Sequence, residues 1–201
     1  MKKLTVLLLI ILAMLPLFAY SEEEEYGTYS YYNISTGYGA LLSSNANYYT
    51  LDLGCTFNFA ALNNTSSFGI GLGTRCDFLL GLNSSNTKKY AGVDVLVGPF
   101  FHVGINRALS LNITAGPLFY TYYVDNLSKE RYAIGPGVDG AITITPPTFD
   151  NISFSFGSLV AAAFSLNNDP TSIFVVPYIS FNIHFNQSYY TPYPYGALVI
   201  Y

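Results

Sequence analysis

The chain has 201 residues, a length that suits one domain. Charged side chains make up 10% of it and aromatic ones 17%, with 19 Tyr, 15 Phe and no Trp; an ordinary soluble protein carries about 25% charge. A net charge of −4 argues against nucleic acid as a partner, and past residue 21 no apolar run approaches the ~20 residues of a spanning helix.

Residues 1–21 stand apart from the rest. Lys2 and Lys3 form a basic start, Val6 to Leu15 is unbroken and apolar, and Ala19 and Ser21 are small residues ahead of a predicted cut. That is the layout of a secretory signal peptide. Residues 22–27 follow as an acidic leader built on Glu22 to Glu25.

From residue 28 onward apolar and polar residues alternate, which is the mark of strands with two different faces. Eight segments carry the pattern: 28–42, 47–61, 67–82, 90–105, 109–124, 131–145, 152–166 and 172–185. In the second, Leu51, Leu53, Cys55, Phe57, Phe59 and Ala61 oppose Asp52, Gly54, Thr56, Asn58 and Ala60. In the last, Ile173, Val175, Pro177, Ile179, Phe181, Ile183 and Phe185 form the apolar face. No helical period follows residue 21.

Two architectures fit. A secreted soluble β-sandwich packs its apolar faces together and shows charged faces to water. A transmembrane β-barrel turns its apolar face to lipid and keeps small and polar residues in its lumen. Three features favour the barrel. The polar faces hold Gly, Ser, Thr and Asn rather than Lys and Glu. The segments are longer than the ~5–6 residues of globular strands. Tyrosines gather at segment ends (Tyr29, Tyr31, Tyr32, Tyr48, Tyr49, Tyr90, Tyr120, Tyr122, Tyr123 and Tyr132), where membrane barrels carry aromatic girdles. The expected fold is therefore all-β: a single up-and-down antiparallel transmembrane barrel of eight strands.

Three successive strands carry Gly-Pro in mid-segment: Gly98-Pro99, Gly116-Pro117 and Gly135-Pro136. Proline gives no donor to a sheet ladder. Parity puts each proline on the apolar face and each glycine in the lumen. The prolines read as a belt across neighbouring strands, with a bulge or wider spacing at each.

The lumen face holds Asp52, Arg75, Asp77, Asp94, His102 and Asp139. Eight strands leave room only for side chains, and buried charges must pair or be hydrated. The set reads as a structural polar plug with Arg75 as hub, bonded to one or two of Asp77, Asp94 and Asp52, or as a narrow pore or small polar ligand site. Cys55 and Cys76 sit on adjacent segments on the apolar face, where a tight turn at Thr65-Ser66 sets them opposite. They read equally as a cross-strand disulfide and as two free lipid-facing thiols. Two histidines, His102 and His184, and serines in no recognisable motif give no nucleophile–base pair. The spacing of a metal or cofactor site is missing as well.

The signal peptide, the eight alternating segments and the motifs "VGPFF" and "AGPLF" together resemble the small outer-membrane β-barrel proteins of diderm bacteria, the broad OmpA/OmpX/OmpW-like class. The resemblance covers residues 27 to 185. It implies localisation in the bacterial outer membrane, with outer-membrane lipid and the barrel-assembly machinery as partners. It also implies a non-enzymatic structural or surface-interaction role. Passage of small solutes is the alternative, and a host surface ligand stays open. Such chains often end on an aromatic assembly signal. "YISFNIHF" and "PYGALVIY" compete for it, and alternation favours Phe185 as the last strand residue. Residues 186–201 are then a C-terminal tail without a place in the barrel.

Overall fold

The computed structural model describes residues 28–43, 47–62, 68–83, 89–106, 108–124, 131–148, 151–167 and 171–184. The signal peptide, the acidic leader, Phe185 and the tail lie outside them. The described chain forms eight strands: β1 (Thr28–Ser43), β2 (Asn47–Leu62), β3 (Phe68–Asn83), β4 (Lys89–Asn106), β5 (Leu109–Val124), β6 (Arg131–Ile144), β7 (Ile152–Ser165) and β8 (Ser172–His184). Each boundary falls within one residue of the segment read from alternation. Every strand pairs antiparallel with its sequence neighbour, and β1 pairs with β8 to close the barrel. Closure leaves no edge of unpaired backbone groups, which hydrocarbon does not tolerate.

Alternation of side chains sets the radial order. On β8, Ile173, Ile179, Phe181 and Ile183 are exposed while Phe174, Val176, Tyr178, Asn182 and His184 are buried. On β1, Ile34 is 73% exposed and its neighbours Asn33 and Ser35 are buried. The apolar residues therefore look outward from a barrel of 13–18-residue strands; about 9–11 tilted residues cross a bilayer. No helix among the described residues is long and apolar enough to cross a membrane. Phe57 and Val95 are outer-face residues exposed by only 9%. Phe57 is covered by the Tyr32 ring, 4.7 Å away between centroids. Val95 sits between Cys76 and Phe119 in the register.

The tyrosine girdle is a partial misreading. Tyr29, Tyr31, Tyr48, Tyr90 and Tyr120 point inward and are buried. Of the tyrosines at strand ends, Tyr32, Tyr49 and Tyr132 face outward. The side chain of Tyr123 lies outside the described residues. Position along a strand says how near a tyrosine is to the interface, but parity says which side it is on, and the lumen mouths take rings too.

The Gly-Pro pairs also depart from expectation. All three prolines are exposed on the outer face. Pro117 stands opposite Pro136. Pro99, however, is placed across from Ala115 by the β4–β5 register, one diagonal step from Pro117. Pairing lapses across Val97–Pro99 and Ala115–Pro117, yet resumes in the same register on both sides. The one register shift on this seam lies at Gly104/Asn106. Similar lapses occur beside Pro136 on the β6–β7 seam and beside Pro177 on the β1–β8 seam. The cause is the missing donor, which removes a ladder bond without adding a residue. The strands do not widen there. A methyl on Gly98 would fall on the Ala115 carbonyl and lie 2.9 Å from the Gly116 Cα, so glycine is needed for close approach.

Candidate functional site

Inward side chains fill the lumen in three tiers. The middle tier is charged. Arg75 on β3 is fully buried and bonds three carboxylates: Nε to Asp77 Oδ2 at 2.6 Å, Nη2 to Asp52 Oδ2 at 3.2 Å and Nη1 to Asp139 Oδ1 at 3.4 Å. Its guanidinium lies 3.9 Å from the centroid of the Tyr178 ring, and the Tyr178 hydroxyl donates to Asp139 Oδ1 at 2.8 Å. Gly54 stands opposite Asp77. A methyl there would collide with the Asp77 carboxylate and the Ser35 hydroxyl, so the glycine makes room for the ion pair.

Asp94 is the exception. It stands opposite Asp77 across the β3–β4 pair. It is 0% exposed, and neither of its carboxylate oxygens has a hydrogen-bond partner among the described residues. Arg75 thus takes Asp139, from a strand on the far side of the lumen, in place of Asp94. One guanidinium faces four buried carboxylates.

Above this tier the lumen is apolar. Leu79, Leu96, Leu118 and Leu159 are each 0% exposed, with Phe174 and Val176 at 1%. Tyr48, Tyr90, Tyr120 and Tyr122 continue the cluster upward. Tyr120 and Tyr122 stack 4.9 Å apart, and Tyr48 and Tyr90 lie 5.1 Å apart. Below the charged tier, Tyr29, Tyr31, Ala60, Leu62 and Phe100 form a second apolar cluster.

The lowest tier interleaves with that cluster and is a chain of neutral hydrogen bonds. His102 Nδ1 bonds Asn112 Oδ1 at 2.8 Å, and Asn112 Nδ2 donates to Thr143 Oγ1 at 2.7 Å. Thr143 and Ser155 hydroxyls meet at 2.8 Å. Asn182 Nδ2 donates to both Ser155 and Ser153, at 2.7 and 2.8 Å. Ser153 Oγ then meets His184 Nε2 at 2.7 Å. The Tyr29 ring stacks on His102 at 3.8 Å.

The Ser153–His184 contact has the spacing of a nucleophile and its base. The rest of the arrangement does not follow. Ser153 is 0% exposed, and His184 Nδ1 has no partner among the described residues, so no carboxylate orients the imidazole. No group of three or more His, Cys, Asp or Glu among the described residues is arranged to hold a metal ion.

Sequence reading put Asp52, Arg75, Asp77, Asp94, His102 and Asp139 on the lumen side. The structure brings Arg75, Asp52, Asp77 and Asp139 together, leaves Asp94 beside them unpaired, and places His102 in a separate tier. Tyr178, Asn112, Ser153 and His184 were not singled out as site residues. Their inward parity was the available signal. Cys55 and Cys76 stand directly opposite on the outer face.

No protein-family model matches the sequence, and no curated protein matches it. Among solved structures, the chain is similar to Neisserial surface protein A, with a TM-score of 0.60 and 11% identity over 78% of this chain and 97% of that one. It also aligns with Ail, the attachment invasion locus protein of Yersinia pestis, solved in complex with the heparin analogue sucrose octasulfate (TM-score 0.48, 13% identity, 78% and 99% covered). A third is the outer membrane protein OprG from Pseudomonas aeruginosa (TM-score 0.46, 10% identity, 80% and 96% covered). The fold is that of the small eight-stranded outer-membrane β-barrels.

Proposed function

We propose that the chain is an integral protein of the bacterial outer membrane, exported behind residues 1–21 and inserted by the barrel-assembly machinery. In this reading the barrel is a non-conducting, non-enzymatic body with a structural or surface-interaction role. One observation carries it: the lumen is closed. Four fully buried leucines span it above the charged tier, and Tyr31, Phe100 and Leu62 pack below. Packed side chains close the lumen on both sides of Arg75, apolar above it and a hydrogen-bonded chain around an apolar cluster below it.

The apolar outer face supports the membrane setting, because a soluble protein rarely exposes a patch above a few hundred Å². The enclosed Ser153–His184 pair supports a role without catalysis. The test is electrical. Purified protein in planar bilayers gives flat recordings while its gel band shifts on heating, as a folded barrel's does. Discrete conductance steps that change with Asp94→Asn would refute the closed lumen and favour solute passage.

A further inference from the structure

Cys55 and Cys76 are the two cysteines of the chain, and the β2–β3 register sets them directly opposite. Their thiols lie within hydrogen-bonding reach of one another. The backbone tells which kind of cross-strand pair they form. The Thr74 hydroxyl donates to the Phe57 carbonyl at 3.2 Å, so odd-numbered residues of β2 turn their carbonyls to β3. The Thr36 hydroxyl donates to the Asp52 carbonyl at 3.2 Å, so even-numbered ones turn theirs to β1. A residue in an antiparallel strand presents both backbone groups to the same neighbour. Cys55 and Cys76 are therefore a hydrogen-bonded pair, with Cα atoms about 5.5 Å apart. That Cα spacing lies within the ~4.4–6.8 Å spanned by disulfides. The Cβ atoms of a hydrogen-bonded pair stand at the wide end of about 4.5–5.5 Å, beyond the ~3.5–4.5 Å a disulfide takes, so the two strands draw together locally when the bond closes.

We propose that Cys55 and Cys76 are a redox staple, closed into a disulfide during export, before the β2–β3 hairpin enters the membrane. This rests on the outer-membrane reading above. The two thiols lose two protons and two electrons and form one S–S bond. The acceptor is the disulfide of an exported thiol–disulfide exchange protein, which leaves as a dithiol. The surroundings set the timing. Ile34 flanks Cys55 and Val95 flanks Cys76 in the register, both on the outer face. Once that face meets hydrocarbon, a charged thiolate is disfavoured there, and a water-soluble exchange partner has no access. The bond is made once and then kept.

The experiment takes full-length protein from the outer-membrane fraction of cells lysed in N-ethylmaleimide and weighs the intact chain. The expected result is no alkylation and a mass lower by two hydrogen atoms. Cys55→Ser then carries one alkylated thiol and still folds to a heat-modifiable barrel. In a second arm, the oxidised chain folded in detergent micelles keeps its bond against a phosphine reductant that cleaves it in urea. Membrane-fraction protein with two alkylated cysteines overturns the staple and leaves the membrane reading standing. Equal reduction in micelles and urea overturns the sealing-in. Protein recovered outside the envelope sinks both readings together.

Discussion

Arg75 is the cation on which the middle of the lumen depends. Three carboxylates bond it, and all are removed from water. A buried ion network adds little net stability, but taking out one partner leaves uncompensated charge at a cost of about 3–5 kcal/mol. Arg75→Met is therefore expected to lower the unfolding free energy of the micelle-folded barrel, read from urea titration, by an amount in that range, with Asp52, Asp77 and Asp139 stranded. Asp94→Asn has the opposite expectation. It removes a buried carboxyl group that Arg75 does not bond, and the new amide can donate to Asp77. Stability should hold or rise by about 1 kcal/mol. If both variants fell equally, the charge-imbalance account would be wrong. The sequence showed which side these residues face, because one-residue alternation is local information. It did not show their partners. Asp139 reaches Arg75 from three strands away, and that depends on tilt and stagger around the whole barrel, whereas Asp94, the neighbour in register, is the one left out.

Strand seams set the next level of constraint. At Gly98 the neighbouring strand comes so close that any Cβ meets the Ala115 carbonyl, while a Cβ at Gly140 meets nothing within 4 Å. Gly98→Ala should cost about 1–3 kcal/mol by overpacking, and Gly98→Val should yield no heat-shifted band. Gly140→Ala should stay within about 0.5 kcal/mol of the parent. Equal effects would mean that glycine at Gly98 serves only local bending. Strand limits were legible here to within one residue because apolar and polar residues alternate without a break. The seam lapses were half legible. Proline announces a missing donor, but neither a kept register nor a close approach can be read from Gly-Pro itself. Tyr90 and Tyr120 illustrate the same limit: their place near strand ends was plain, and the lumenal stacking that buries them was not.

At the scale of the molecule, an even strand count puts both ends of the described barrel, Thr28 and His184, at one rim, together with the β2–β3, β4–β5 and β6–β7 connections. The opposite rim carries the other four connections, and Lys89 opens β4 there, exposed. A chain arriving from the periplasm needs to pass only hairpin connections through the bilayer if both termini stay behind. Carrying a terminus across would add polar, charged residues such as Glu22 to Glu25 to the crossing, which hydrocarbon opposes. Intact cells treated with a membrane-impermeant amine reagent should therefore be modified at Lys89. A protease-sensitive tag placed just ahead of Thr28 should stay uncut until the outer membrane is permeabilised. Cleavage of that tag on intact cells, with Lys89 unlabelled, would invert the barrel and place its aromatic upper tier toward the periplasm.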